Sequence, residues 1–250
     1  MFSIVIPTIR PDGAYHTLKS IDYCIKDMER PDIYVGCPTE IDFTGIRCNP
    51  TLILDDFKGG KWTLNRIYNR LISQCKGEWI ISWQDWTAFD PKGLQILLDF
   101  CQDNPNAIVS VLGDKCQEGE HERTVWEDPR RRVAMQTFEP CPWTDVEFNF
   151  CIFPKKAWQA VGGFDEGADF EYLGMDGFSV VDRLRKLGGY SFYLMSRPST
   201  YSVAHGRVAN WDRENGITGG YLERRDKLIS LGQWPIIKND QLTAGIPAKI

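Results

Sequence analysis

The stretch Gly77–Thr87, GEWIISWQDWT, decides how the chain folds. Trp79, Ile80, Ile81 and Trp83 surround one small polar residue, Ser82, and the run ends on a single carboxylate, Asp85, between Gln84 and Trp86. A short unbroken apolar run with polar ends reads as a strand buried on both faces, as strands of a parallel sheet are. Open α/β sheets bind ligands beyond the carboxyl ends of their strands, so such a strand would deliver Asp85 to the ligand-binding rim. The competing reading is a loop carboxylate that caps a turn.

Outward from this strand the same alternation repeats. FSIVIP (2–7) is a buried-strand pattern ended by proline, and the turn TIRPDG leads into a segment with Leu18, Ile21, Cys24 or Ile25, and Met28 at helical spacing. DIYVGCP and TLILDDF are two further short apolar runs. Between Gly60 and Gly77, Leu64, Ile67, Tyr68, Leu71, Ile72 and Cys75 form one helical face. After the quoted strand, Asp90 is placed to cap a helix that begins at Pro91 and carries Leu94, Leu97, Leu98 and Cys101 as its buried stripe. NAIVSVLGD is another strand. Strands alternating with helices predict an α/β fold, a mostly parallel sheet with helices on both faces.

From Lys115 to Phe148 the pattern weakens into long loops or an inserted hairpin. PKKAWQAVGGFDEG then reads as a short helix closed by Gly162 and Gly163, and SVVDRLRKLGG as a helix stopped by Gly188. YSFYLM and TYSVAH read as two strands, and the tail past Gly232 predicts no element.

Composition bounds the function. A chain of 250 residues with 42% hydrophobic content is ample for one domain. We expect a single domain over 1–250 with a decorated C-terminal part. The net charge of −5 and the lack of a long basic block argue against a broad nucleic-acid surface, leaving Arg130, Arg131 and Arg132 as the best local basic patch. The eight cysteines include no C-x-x-C pair, which removes zinc or iron–sulfur spacing and suggests reduced, buried thiols. The start MFSIVIPTIRP has no basic region, and its apolar run stops at Pro7, too short for a signal segment or a membrane span, so a cytoplasmic location is expected.

Four segments, in order from Ser3 to Gly189, resemble the GT-A glycosyltransferases, especially the large family 2 of sugar-nucleotide-dependent enzymes. SIVIPTIRPDG looks like their opening V-V-I-P-T-x-N-R-P. NRIYNRLISQCKGEWIISWQDWTAFDP is similar to A-R-N-x-G-I-x-x-A-x-G-E-Y-I-x-F-L-D-x-D-D-x-x-x-P, with Asn69, Gly77, Glu78 and Pro91 in register. FPKKAWQAVGGFDE resembles the acceptor-side F-R-R-x-x-F-x-x-V-G-G-F-D-E, and GMDGFSVVDRLRKLGG resembles G-E-D-x-D-L-x-x-R-L-R-K-A-G. The chain also departs from this pattern. The two acids of the family's D-x-D fall on Gln84 and Trp86, leaving Asp85 alone in the middle, and no shift of register supplies a second acid. The second strand, which often ends on an acid that contacts the nucleobase, here offers Gly36 and Cys37 before Glu40.

The resemblance implies transfer of a sugar from a nucleotide sugar to an acceptor hydroxyl, by an inverting route. That chemistry must neutralise a leaving diphosphate and remove a proton from the attacking hydroxyl. By resemblance, Asp85 with His205 from SVAHGR would hold Mn²⁺ or Mg²⁺, hard cations that take oxygen ligands. Pro7, Thr8, Arg10 and Asn69 would line the nucleotide half, with Gln84 beside Asp85. Asp176, at the start of a helix whose positive end keeps it ionised, is the candidate base, or else an ordinary cap. Lys58, Lys61, Arg10 or the Arg130–Arg132 loop could meet the diphosphate with less metal, and Gly59 and Gly60 could admit phosphate close to the backbone. Trp83, Trp86, Trp143 and Trp158 could stack on a sugar or base, or belong to the core. Two other readings remain open: a catalytically silent module of the same fold that binds nucleotide, glycan or a partner, and an acceptor that is a modified base in DNA.

Overall fold

Strand β1 (Phe2–Pro7) sits near the middle of one half of a ten-stranded sheet, between β2 (Asp32–Cys37) and β4 (Trp79–Trp83), and pairs in parallel with both. The computed structural model describes residues 1–55, 63–117, 120–131, 137–171, 177–203 and 217–239. Strand β3 (Thr51–Leu54) extends the parallel half beyond β2. On the other side of β4 lies β9 (Phe150–Pro154), antiparallel to both of its neighbours, β4 and β6 (Ala107–Gln117). The long β10 (Ser191–Val203) pairs in parallel with β6. Thus β1, β2, β3, β4, β6 and β10 all point one way, and their carboxyl ends share one rim. Three antiparallel pieces finish the sheet: β5 (Thr87–Ala88) and β8 (Phe138–Pro140) on β10, and β7 (Glu120–Trp126) on β6.

The central strands β1, β4 and β9 are largely apolar because both faces are covered. Successive side chains of a strand point to opposite faces, and the core divides accordingly. Ile4, Ile6, Ile81, Trp83, Val109, Val111, Phe150 and Ile152 belong to one cluster, and Val5, Ile80, Ile108, Cys151 and Phe153 to the other. Helices α1 (Pro11–Cys24) and α3 (Pro91–Asp103) cover the first face with Leu18, Ile21, Leu94 and Leu97. The second face is covered by α2 (Leu64–Gln74), α4 (Lys155–Ala160) and α6 (Gly177–Leu187), through residues such as Ile67, Leu71, Ala157, Val181 and Leu184. The short α5 (Ala168–Glu171) and α7 (Ile217–Ser230) complete the described helices.

Most predicted elements stand where their periodicity placed them. The Asp90 carboxylate accepts from the Gly93 N–H at 3.0 Å and caps α3. At the end of β2, where the family often carries an acid, Gly36 serves packing instead. A Cβ there would lie 2.4 Å from Ile67 Cγ1, so α2 rests directly on the backbone of β2.

Three features differ from the expectation. Helix α1 begins at Pro11, inside the segment read as a turn, because Pro at the first helical position needs no N–H partner. The two strands predicted after Tyr190 are one strand, whose pairing register shifts between Met195 and Thr200. Strands β5, β8 and β9 and helices α5 and α7 were not anticipated. Phe150, Cys151, Ile152 and Phe153 alternate between the two core clusters and end at Pro154, so the signal for β9 was present but came directly after a segment dominated by loop residues. The expected hairpin exists as β6 and β7.

All eight cysteines are free thiols, seven buried and Cys141 partly exposed. Burial pushes the thiols of Cys24, Cys48 and Cys75 up to about 12, and only the thiolate reacts. A disulfide-exchange reagent at neutral pH should therefore label the native protein rapidly at Cys141 alone and the buried thiols only after unfolding. Rapid labelling of several thiols in the native state of a Cys141→Ser variant would contradict this packing. No described helix is long and apolar enough to cross a membrane.

Candidate functional site

β1 and β4 are parallel neighbours, with Val5 opposite Ser82, so the turns that leave their carboxyl ends meet at the rim. The first turn carries Thr8 and Arg10, the second Gln84, Asp85 and Trp86. Asp85 is buried, and both carboxylate oxygens are taken. The Thr8 hydroxyl and the Arg10 Nε–H donate to Oδ2 at 2.5 and 2.8 Å, and Arg10 Nη2–H donates to Oδ1 at 2.6 Å. The turn is fixed in turn by its own bonds: Thr8 N–H donates to the Gly36 carbonyl at 2.8 Å, and Arg10 N–H to Thr8 Oγ1 at 2.9 Å. A planar guanidinium matched to a carboxylate in this two-point way is strong and directional. The two ends differ in exposure, 26% for the Arg10 side chain and 6% for that of Asp85, so the cation faces outward.

Helix α1 holds the second turn along its length. Gly13, Thr17, Ser20 and Cys24 recur at helical spacing on one face. The Gly13 carbonyl accepts from Trp86 N–H at 3.1 Å. Thr17 Oγ1 accepts from Thr87 N–H and donates to the Gln84 carbonyl at 3.1 Å. Ser20 Oγ accepts from Phe89 N–H, and Cys24 Sγ–H donates to the Phe89 carbonyl. Gly13 must lack a side chain, since a Cβ would lie 2.5 Å from Trp86 Nε1 and 3.1 Å from Asp85 Cβ. Trp86 itself has φ of 60°, a left-handed conformation that costs a bulky residue energy. Its carbonyl accepts from Val203 N–H at 3.1 Å, which brings the end of β10 to the same turn.

The other predicted residues separate. Pro7 ends β1 opposite Gly36, at the same rim. Gln84 donates its N–H to the Asn149 carbonyl at 3.0 Å, and below it the Tyr68 hydroxyl meets Ser82 Oγ at 2.8 Å. Asn69 is spent within the protein. Its Nδ2 donates to the Phe164 carbonyl and Glu166 Oε1, and its Oδ1 accepts from Phe164 N–H and Trp158 Nε1–H. Trp83 is wholly buried against Phe89 and Phe150, so it serves the core rather than a ligand. The two described arginines of the expected basic patch are neutralised. Arg130 clasps Asp128 and lies 3.3 Å from Glu147, and Arg131 pairs with Asp114. Lys58, Gly59, Gly60, Lys61, Arg132, Asp176 and His205 lie outside the described residues.

Several buried charges were missed by the sequence reading. Asp55, one residue past β3, accepts from Arg66 Nη2 at 2.7 Å, Arg70 Nη1 at 3.0 Å and Thr63 Oγ1 at 3.1 Å. Its signal resembled that of Asp85: an acid within two residues of the end of an apolar strand. The GGFDE segment is pinned from several sides. Arg183, fully buried, donates to the carbonyls of Val161 and Gly163, and Arg224 clasps Asp165 with contacts of 2.6 and 2.8 Å. Asp169 on α5 caps α2 from a distance, accepting from the backbone N–H groups of Asn65 and Arg66 and from Asn65 Nδ2. Such long-range partners leave no local pattern in the sequence.

Among the described residues the donor set around Asp85 falls short of a divalent-cation site. A metal site needs several open oxygen or nitrogen ligands, whereas both oxygens of Asp85 serve Arg10 and Thr8. Among the described residues no three His, Cys, Asp or Glu side chains converge on a metal-sized point. The expected partner His205 is not among them. A cavity of about 350 Å³ lies at the opposite rim, near the amino ends of β1 and β4, between Met1, Arg30, Glu78 and Gln102, well away from Asp85's turn.

No protein-family model matches the chain, and no curated protein sequence does. Its fold is similar to S. aureus TarS. The TarS 1–349 structure and its UDP complex each have a TM-score of 0.57 and 12% identity, covering 81% of this chain and 60% of that one. The TarS 1–349 complex with UDP-GlcNAc has a TM-score of 0.56 and 11% identity over 82% of this chain and 59% of that one. The chain therefore spans about three-fifths of the length of these structures, and the likeness identifies a GT-A-type α/β fold.

Two expectations follow from the geometry. Arg10→Gln and Asp85→Asn, measured singly and together by urea unfolding, should show a coupling of about 1–3 kcal/mol, as groups in direct contact do; additive effects would contradict the clasp. Burial pushes the Asp169 carboxyl up to about 7 from its ordinary 3.8, against the pull of the N–H donors from Asn65 and Arg66. The folded protein then binds this proton more tightly than the unfolded chain, so its contribution to stability is fully present below about pH 4 and is lost as pH rises through about 7. The urea midpoint of the wild type should fall between pH 5 and pH 7.5 relative to that of Asp169→Asn. A constant difference between the two proteins would refute the shift.

Proposed function

We propose that the protein is a nucleotide-sugar-dependent glycosyltransferase acting on an acceptor hydroxyl. The observation that supports this reading is the meeting of Thr8, Arg10 and Asp85 where the turns after β1 and β4 converge. That rim is where sheets of this type bind ligands. The TarS structures of the same fold include complexes with UDP and with UDP-GlcNAc, so uridine nucleotide sugars head the list of candidate donors.

In this reading the donor lies across the rim, its nucleotide toward Pro7 and Thr8 and its diphosphate toward Arg10. The buried clasp fixes the shape of this floor before the donor arrives, so little ordering is left to the moment of binding. Asn69 acts one layer below, holding the GGFDE segment through Phe164 and Glu166. Asp176, the residue before α6, is assigned as the base that takes the acceptor's proton, and an inverting single displacement is the matching route. Lys61 from the segment before α2 is a further candidate for the diphosphate. A DNA acceptor draws no support from Arg130 and Arg131, whose charges are met by Asp128, Glu147 and Asp114.

A second reading, a silent module that binds the donor without turnover, is favoured by the occupation of Asp85. Transfer or hydrolysis of a panel of nucleotide sugars separates the two. Turnover is expected with at least one donor, and Asp176→Asn should lower it by about 10²–10⁴-fold while leaving donor affinity unchanged. Donor binding with no turnover, unaffected by Asp176→Asn, would establish the silent module. Neither binding nor turnover with any donor would refute both.

A further inference from the structure

Arg10 is a described rim residue with hydrogen-bonding capacity left over. A guanidinium carries five N–H donors in one plane. Two of the three nitrogens, Nε and Nη2, hold Asp85, each with one N–H directed at a carboxylate oxygen. No described residue accepts from Nη1, and the side chain is 26% exposed while its partner is 6% exposed. The clasp thus locks the plane of the guanidinium and turns its unused edge away from the carboxylate, toward the rim. A fixed planar fork with free N–H groups suits phosphate oxygens better than it suits a neutral ligand. Asp85, by contrast, already accepts three hydrogen bonds from Thr8 and Arg10.

We propose that Arg10, held in place by Asp85, takes the part of the divalent cation at this site and binds the diphosphate directly. The inference rests on the donor reading above and adds the means by which the diphosphate is held. Arg10 and Asp85 together carry no net charge, so the carboxylate contributes orientation, and Arg10 contributes donors aimed at the phosphate. In the transfer step the bond from the anomeric carbon to the diphosphate oxygen breaks, and its electron pair passes to that oxygen. The acceptor oxygen forms the new bond to the same carbon and gives its proton to the base. The charge gathering on the departing diphosphate falls beside Nη1, where a prearranged donor is worth most. No co-reactant beyond donor and acceptor is required.

Calorimetric binding of UDP and a panel of other nucleoside diphosphates to the full chain, in EDTA and in Mn²⁺, tests this directly. The expected result is binding in EDTA within about threefold of that in Mn²⁺, weakened at least about tenfold by Arg10→Gln. Arg10→Lys keeps the charge but loses the fork, and it should fall between the two. It also serves where the glutamine variant does not fold by circular dichroism. Binding that tightens by more than about threefold with Mn²⁺, or that is unchanged in both variants, would overturn the role of Arg10 and leave the donor reading standing. If no nucleoside diphosphate bound in either medium, the donor reading would fall and this inference with it.

Discussion

A carboxylate buried at the end of a strand is costly unless its charge is met at close range. Asp85 is such a group, and its partners dictate much of the local architecture. Arg10 and Thr8 can reach it only because β1 and β4 are parallel neighbours whose carboxyl ends coincide. Parallel pairing of these two strands requires a crossover, which α1 and the elements that follow it provide. The chain after Asp85 is then laid against α1 by Gly13, Thr17, Ser20 and Cys24. Strained Trp86 is tolerated because its N–H and carbonyl are both held, by Gly13 and Val203.

A second framework of buried charge supports the opposite face. Asp55 with Arg66 and Arg70 anchors α2 to β3, and Asp169 caps the first turn of α2. Asn69 and Arg183 grip the GGFDE backbone from α2 and α6, while Arg224 reaches from α7 to Asp165. Removing one partner from such a set leaves the other charge buried alone, at a typical cost of about 3–5 kcal/mol. Fixed charges of this kind position the loops that border the rim, which packing of apolar side chains alone would leave free to shift.

The sheet and its helices were legible because burial on two faces imposes apolar runs and 3.6-residue spacing, both written locally in the chain. Among the elements that escaped, β9 carries the same signal but is antiparallel to both neighbours and follows a stretch of loop residues. Asp85 stood out by its place after an apolar strand, and Asp55 stands in the same kind of place. What the sequence could not disclose was partnership. Nothing in the spacing of Arg10 and Asp85, 75 residues apart, announces that they meet. Nor does the run Arg130–Arg131 announce that Asp128, Glu147 and Asp114 neutralise it. Asn69 matched a family position, yet its four hydrogen bonds assign it to scaffolding.

The central claim is that the clasp between the turns after β1 and β4 presents Arg10 to a diphosphate. A crystal structure of the protein soaked with UDP in the presence of EDTA examines it at the atomic level. The account predicts phosphate oxygens within about 3 Å of Arg10 Nη1, with Asp85 still held by Nε and Nη2. Nucleotide seated elsewhere, for example in the cavity beside Met1 and Arg30, or an Asp85 carboxylate released from Arg10 when the nucleotide binds, would contradict it.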